Sequence, residues 1–167
     1  MAGSEQIGKT TLLRRFVEGK FYQDTKMTIG VDILRKNIEL DNGEVCALQL
    51  WDFGGQDQFR FFLDGFVRGA NAAFVMFDLT RPDTLHSLEK EWMQIVRKFD
   101  PNLPLLLIGT KLDLQELVSV KDSSARELKE RFNMIDYMKT SSKTGFNVQR
   151  AFTRITNHLL RNLFQCK

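Results

Sequence analysis

The most constraining feature of the chain is residues 3–10, which read Gly-Ser-Glu-Gln-Ile-Gly-Lys-Thr and fit the pattern G-x-x-x-x-G-K-[ST]. In this pattern the glycines let the backbone curl until several N–H groups point at one phosphate. Lys9 would neutralise the β and γ phosphates, and the hydroxyl of Thr10 would ligate Mg²⁺. A helix after the loop would direct the positive end of its dipole at the same anion. The segment therefore predicts a phosphate-binding loop.

Length and charge exclude several other classes of protein. The 167 residues suit a single domain over residues 1–167. Lys and Arg number 24 against 21 Asp and Glu, a net charge of +3, too small to indicate a nucleic-acid-binding face. The apolar runs are far shorter than the roughly 20 residues of a transmembrane helix. The two cysteines do not form a disulfide pattern, so a reduced, cytoplasmic setting is expected.

Extended and helical segments alternate along the chain, which is typical of an α/β fold. Five strands are predicted, at residues 31–40, 45–52, 72–78, 105–109 and 135–139. An Asn-Gly turn joins the first two as a hairpin. Helices are predicted from Lys9, over residues 87–99, from a capping box at Ser119 and Asp122, and after Asn147. A mixed sheet with helices on both faces is the expected result.

A second candidate site lies at the end of the second predicted strand of the hairpin, in Trp-Asp-Phe-Gly-Gly-Gln at residues 51–56. Asp52 could hold Mg²⁺ through its water shell, because Mg²⁺ gives up water reluctantly. Gly55 could offer its N–H to a terminal phosphate, and Gln56 could orient an attacking water. The hydroxyl of Thr28 could complete the metal shell. The plainer interpretation, a strand end with a glycine turn and an ordinary threonine, becomes the minor one after a phosphate loop.

A third candidate site, in Thr-Lys-Leu-Asp at residues 110–113, suits recognition of a purine base. The carboxylate of Asp113 could accept two hydrogen bonds from the N1–H and 2-amino groups of guanine. Adenine lacks both donors and would leave that carboxylate unpaired. The alkyl stem of Lys111 can lie along the face of the base. Backbone N–H groups of residues 140–145 could meet the guanine O6 atom.

Taken together, these segments resemble a known family. In order, GSEQIGKT, TIG, WDFGGQ, TKLD and SSK resemble the five guanine-nucleotide motifs of the Ras-superfamily small GTPases. Two segments look Rab-like, KFYQDTKMTIGVD and FDLTRPDTL. The base motif TKLDL looks like its Rho version, and WDFGGQ is similar to the corresponding motif of Arf-like and archaeal relatives. The mixture indicates the superfamily and no particular subfamily.

The resemblance implies a P-loop NTPase G domain, with a mixed, mostly parallel sheet in the order 2-3-1-4-5-6 flanked by helices. It also implies a switch that binds Mg²⁺ with GTP or GDP and hydrolyses GTP. Protein effectors, an exchange factor and a GTPase activator would bind at two switch regions, near residues 22–32 and 53–66. A monomer is expected, cytoplasmic or recruited to a membrane surface by partners. Because Cys166 is second from the end, a C-terminal lipid anchor is not supported.

The resemblance assigns roles residue by residue. Catalysis would fall to Gln56 and Lys9. The phosphates would be held by Gly3, Glu5, Gln6, Ile7, Gly8, Lys9, Thr10, Thr11 and Gly55. The guanine base would be held by Phe21, Thr110, Lys111, Asp113, Ser141, Ser142 and Lys143. Mg²⁺ would be held by Thr10, Thr28 and Asp52.

Two residues of the loop depart from the family pattern. Glu5 and Gln6 stand where the family usually has small residues, often glycine. Bulk there can displace the catalytic Gln56, and a carboxylate near the γ-phosphate is unfavourable, so slow hydrolysis is expected. A nucleotide-binding interaction module with little turnover remains an alternative. A P-loop nucleotide kinase or ATPase is weaker, because TKLD and SSK indicate guanine.

The last departure is the strand before the loop. In the family that strand, strand 1, lies in the middle of the sheet, and only Met1 and Ala2 stand for it here. Strand 1 is therefore expected to be largely missing, which would leave two neighbouring strands with unpaired backbone groups. The expectation from sequence is that Met1 is an internal residue of a longer natural protein, with roughly five or six apolar residues upstream.

Overall fold

The computed structural model describes residues 1–23, 28, 30–40, 43–54 and 63–165. Its strands are β1 (Val31–Glu39), β2 (Val45–Phe53), β3 (Ala73–Asp78), β4 (Leu105–Thr110) and β5 (Asp136–Lys139). Its helices are α1 (Lys9–Glu18), α2 (Leu63–Arg68), α3 (Pro82–Ser87), α4 (Met93–Phe99), α5 (Asp122–Arg131) and α6 (Val148–Gln165). A π-helical turn (Leu88–Trp92) joins α3 to α4, and a 3₁₀ turn (Gln115–Leu117) precedes α5. The predicted strands all form, within a residue or two of their expected bounds.

The core is built on a parallel sheet in the order β3-β4-β5. All six residues of β4 are buried, as a continuous apolar run predicts for a strand covered on both faces. Leu105 and Leu107 pack into a cluster with Trp92 on one face. Leu106 packs with Phe16 and other side chains on the opposite face. Helices therefore cover this sheet on both sides, as expected.

The other two strands form an antiparallel hairpin. β1 and β2 pair from Val31 opposite Phe53 to Glu39 opposite Val45. Most of their residues are exposed or half-buried, and Ile38 is the single buried residue of β1. Asp41 and Asn42 of the predicted turn lie outside the described residues.

The hairpin and the parallel sheet are separate sheets, joined by the first residues of the chain. Ala2 forms a single parallel bridge with Val75 of β3, its N–H donating to Phe74 O at 2.9 Å. The amino group of Met1 donates to Trp51 O of β2 at 2.6 Å. The spatial order is thus the family's 2-3-1-4-5-6 with one bridge in the position of strand 1. The sheet is divided at this point, where strand 1 is expected to be largely missing.

A cavity of about 720 Å³ lies at the division between the two sheets. Residues 46–51 of β2 line one side and residues 72–74 line the other. Phe152, Ile155 and Leu159 of α6 also line it. Met1 and Ala2 line it as well, so the cavity adjoins the bridge between Ala2 and Val75.

Two expectations about helix starts are wrong. No side-chain cap precedes α5, and the hydroxyl of Ser119 instead donates to Thr80 O at 2.9 Å. The helix predicted after Asn147 does begin there, at Val148, and the amide of Asn147 donates to Lys139 O of β5 at 3.0 Å. The helix expected from residue 87 begins at Pro82, where a proline needs no helical N–H partner. Among the described residues, no helix is long and apolar enough to span a bilayer.

Candidate functional site

The predicted phosphate loop connects the Ala2 bridge to the start of α1. Gly3 adopts a φ of 143° and lies against β3, where an added Cβ would be 2.5 Å from Met76 O. Gly8 adopts a φ of 91° immediately before Lys9. Both positions therefore use the conformational freedom of glycine, Gly3 for close approach and Gly8 for the turn into the helix.

Lys9 is buried in this loop, with 6% of its surface exposed. Its ammonium group donates to Gly3 O at 2.8 Å and to Ser4 O at 2.7 Å. Burial lowers its pKa to about 8, although the nearby carboxylates of Asp52 and Glu5 act to raise that pKa. The loop thus holds a desolvated cation whose positive charge a bound anion would stabilise.

The three predicted metal ligands lie together. The hydroxyls of Thr10 and Thr28 are 2.7 Å apart. Thr10 Oγ1 donates to Asp52 Oδ2, and Thr28 Oγ1 lies 3.4 Å from the same atom. Asp52 is fully buried, and its other oxygen, Oδ1, has no hydrogen-bond partner among the described residues.

This donor set fits Mg²⁺. Hard oxygen atoms from hydroxyls and one carboxylate are the ligands that Mg²⁺ takes, with water and phosphate completing its shell. A buried carboxylate oxygen without a partner is costly unless a cation or donor reaches it. Asp52 Oδ1 is therefore the atom in the described site that most requires a further partner.

Two predicted site residues, Gly55 and Gln56, lie outside the described residues. The segment just before them is described. Gly54 N donates to Gly30 O at 3.0 Å, beside the start of β1. The predicted phosphate contact of Gly55 and the water-positioning role of Gln56 stay predictions.

The two predicted base segments come together at the ends of β4 and β5. Ser141 Oγ donates to Asp113 Oδ1 at 2.6 Å. Leu112 N donates to Thr140 O at 3.0 Å, and Thr144 N donates to Ser141 Oγ at 3.1 Å. Asp113 is half-buried, so its second oxygen can face a ligand while the first is held by Ser141.

Thr110 is placed between the two loops. It is 2% exposed, and its hydroxyl donates to Ile7 O of the phosphate loop at 2.7 Å. Phe77 O lies 3.0 Å from the same hydroxyl. This buried side chain therefore joins the base segment to the phosphate loop.

The remaining base-site candidates lie nearer the surface. Phe21 follows α1 and is 37% exposed, Ser142 is half-buried and Lys143 is exposed. Arg15 donates to Gly19 O at 2.9 Å and reaches Thr144 O at 3.5 Å. This arginine brings the end of α1 next to the segment that contains Ser142 and Lys143.

Sequence reasoning missed Asp78, at the end of β3. Its carboxylate is fully buried and accepts hydrogen bonds from Lys111 Nζ at 2.7 Å and from Thr80 Oγ1 at 2.7 Å. Burial acts to raise its pKa, but the hydrogen bonds from Lys111 and Thr80 outweigh it and hold the pKa below its usual range. A carboxylate at the end of an apolar strand was the available signal.

Comparison with known proteins identifies the family. The model of the Ras family matches residues 1–161. The chain belongs to the Ras family. This Ras-family chain is 36% identical over 164 residues to Ras-related protein Rab-2B of Dictyostelium discoideum, covering 98% of the chain and 80% of that protein. It is also 36% identical over 162 residues to Ras-related protein YPT3 of Nicotiana plumbaginifolia, covering 96% and 73%.

Family membership confirms the resemblance drawn from the five motifs. The chain is a GTP-binding small GTPase with the α/β fold of that family. The names of these relatives agree with the Rab-like sequence of two segments, KFYQDTKMTIGVD before and at the start of β1 and FDLTRPDTL at and after the end of β3.

Proposed function

We propose that this protein is a molecular switch that binds Mg²⁺ with GTP or GDP and hydrolyses GTP slowly without an activator. The observation that carries the proposal is the convergence of Thr10, Thr28 and Asp52 beside the buried Lys9. These residues come from α1, from the segment before β1 and from β2. Chain segments that are distant in sequence thus supply the groups that a metal–triphosphate needs.

On the phosphate side, Lys9 exchanges its loop-carbonyl contacts for phosphate oxygens. Thr10 and Thr28 would hold Mg²⁺ through their hydroxyl oxygens, and Asp52 would hold it through water. Mg²⁺, when bound, supplies positive charge to the β and γ phosphate oxygens. Backbone N–H groups of the loop and the first turn of α1, including Ile7, Gly8 and Thr11, complete the anion site.

The switch itself follows from where these ligands are attached. Thr28 lies before β1, and the γ-phosphate contact proposed for Gly55 comes just after β2. Loss of the γ-phosphate removes partners from both chain segments that flank the open end of the hairpin, so both switch regions relax. Effectors, exchange factor and activator read this difference, and the protein acts as a single-domain monomer over residues 1–167.

On the base side, Asp113 accepts hydrogen bonds from the N1–H and 2-amino groups of guanine. Ser141 holds one carboxylate oxygen and thereby fixes its direction. Lys111 and Phe21 contact the ring, and the 141–143 segment approaches the O6 atom. An adenine in this position would leave the carboxylate without donors.

Binding of labelled GDP in the presence of Mg²⁺ tests the nucleotide part of the proposal. GTP and GDP should compete for the site, ATP should not, and chelation of Mg²⁺ should speed release. Lys9→Ala should abolish binding, whereas Lys98→Ala, an exposed lysine on α4, should leave it unchanged. Preference for ATP over GTP would overturn the proposal and favour a P-loop kinase or ATPase.

Slow hydrolysis is the second part of the proposal. Glu5 is exposed on the loop, and its carboxylate is near enough to act on Lys9. Single-turnover assays should show faster phosphate release for Glu5→Gly/Gln6→Gly than for the wild type. An unchanged rate would remove these two residues as the cause.

A second candidate function is a nucleotide-binding interaction module with little turnover. The proximity of Glu5 to the phosphate site favours it. Gln56→Leu separates the two functions, because it slows phosphate release from a GTPase and leaves a non-hydrolysing module unchanged. Both candidate functions fit the same site and the same family, and both predict the same result in the nucleotide competition assay, so only the hydrolysis assay distinguishes them.

A further inference from the structure

Two residues of the proposed site have an unfavourable backbone conformation. Gln6 in the phosphate loop has a φ of 57°, and Lys111 in the base segment has a φ of 62°. Residues with a side chain rarely adopt this left-handed region, and they remain there only when neighbouring groups hold them. Each strained position should therefore have an anchor.

Both anchors come from the turn after β3, residues 78–81, here called the β3 turn. Asp78 Oδ2 accepts from Lys111 Nζ at 2.7 Å. Arg81 Nε lies 3.3 Å from the same carboxylate oxygen. The Nη2 atom of Arg81 donates to Glu5 O at 3.1 Å, on the residue immediately before Gln6. One guanidinium thus spans the turn and the phosphate loop.

The β3 turn is itself rigid. Arg81 N donates to Asp78 O at 3.0 Å, and Thr84 Oγ1 donates to Arg81 O at 2.6 Å. Asp78 N donates to Thr84 Oγ1 at 3.0 Å, and Asp78 Oδ1 accepts from Thr80 N at 2.9 Å. These bonds fix the directions in which Asp78 and Arg81 point.

We propose that Asp78 and Arg81 are positioning residues that couple the phosphate loop to the base segment. The proposal rests on the function proposed above. Asp78 is buried, and its carboxylate contacts the cations of both Lys111 and Arg81. Loss of either cation leaves the buried charge less compensated and disturbs the other contact. Nucleotide bound at one loop therefore stabilises the conformation of the other.

Arg81 is the residue to change, because it is partly exposed and its loss leaves the core intact. Its side chain is 37% exposed. Arg81→Ala should speed the dissociation of labelled GDP about tenfold, the effect of losing one charged hydrogen bond. Arg81→Lys should have a smaller effect, since an ammonium group keeps the charge but lacks the fork that spans both partners. Arg150→Ala, an exposed arginine on α6, is the matched control and should leave the rate unchanged.

A double-mutant cycle distinguishes coupling from loss of stability. Lys111→Ala and Arg81→Ala should each speed GDP release, and together they should speed it by clearly less than the product of the two effects. Effects that multiply, or an Arg81→Ala rate equal to that of Arg150→Ala, would overturn the inference. So would a lowered unfolding midpoint with no change in GDP release. A wild-type protein that fails to bind GDP would instead overturn the proposed function.

Discussion

The parallel sheet and the hairpin carry different parts of the proposed site, and the two regions differ strongly in how deeply their residues are buried. All of β4 is buried, whereas β1 has one buried residue. The carboxyl ends of β3 and β4 position Asp78, Thr110 and the segment up to Asp113. The hairpin positions Asp52 and adjoins Thr28. The proposed base site thus lies on a packed core, and the proposed metal and γ-phosphate contacts from Asp52, Thr28 and Gly55 lie on or beside the less buried hairpin.

The junction between the two regions is narrow. Described backbone contacts there are the Ala2 bridge to β3 and the Met1 contact to β2, next to a cavity of about 720 Å³. Regions with few buried apolar contacts open at lower free energy than a packed core. The difference suits a switch, because the half that we propose to respond to the γ-phosphate is the half with fewer buried contacts.

The largest expected difference in the free energy of unfolding is between truncating a leucine in the core and truncating an isoleucine in the hairpin. Leu107→Ala in β4 should lower the free energy of unfolding by about 2–5 kcal/mol, because it opens a cavity in a fully buried strand. Ile33→Ala in β1, which is 47% exposed, should lower it by less than about 1 kcal/mol. Urea unfolding at fixed excess of nucleotide measures both. Equal losses would show that the hairpin is as well packed as the sheet.

The next contrast concerns the phosphate loop where it lies on β3. Gly3→Ala should cost about 1–3 kcal/mol more than Gly43→Ala, because its Cβ would be 2.5 Å from Met76 O. Gly43 also has a positive φ, 79°, but there is open space where its Cβ would lie. Gly43→Ala therefore causes backbone strain without a steric clash. Thermal unfolding of both variants gives the difference. Matching midpoints would mean that the loop is not pinned to the parallel sheet.

The smallest expected effect comes from filling the cavity between the sheets. An engineered five-residue apolar strand before Met1 should raise stability by about 0.5–2 kcal/mol. It would pair with β2 and β3 and replace the amino group of Met1, whose pKa burial lowers to about 5, with an amide N–H that can still donate to Trp51 O. A Gly/Ser extension of equal length is the control. Identical unfolding curves for the two extensions would show that the cavity between the two sheets does not limit the stability of the protein.

Local sequence patterns predicted the groups that we propose to bind phosphate, metal and base. Gly3, Lys9 and Thr10 lie in one short segment, and the apolar run before Thr110 indicates a buried strand. Asp52 lies at the end of a predicted strand, and Asp113 follows another. For these residues the sequence neighbours set the backbone conformation, so pattern reasoning finds them.

Contacts between distant residues could not be predicted in the same way. Arg81 contacts Glu5 across 76 residues, and nothing near either residue indicates the partner. Ser119 fits a capping box, yet its hydroxyl is used by Thr80 O, so tertiary contacts override a local preference. The start of α3 at Pro82 was missed for a related reason, since Thr84 stabilises that turn through bonds to Asp78 and Arg81.

The measurement that tests the central claim most directly is the base preference of Asp113→Asn. The amide donates an N–H where the carboxylate only accepts, so it clashes with the 2-amino group of guanine and suits the 2-carbonyl of xanthine. GDP affinity should fall about a hundredfold or more while XDP affinity rises. Glu116→Gln, an exposed acid on the neighbouring turn, should leave both affinities unchanged. Undiminished GDP affinity in Asp113→Asn would contradict the account, because guanine would then be read by other residues.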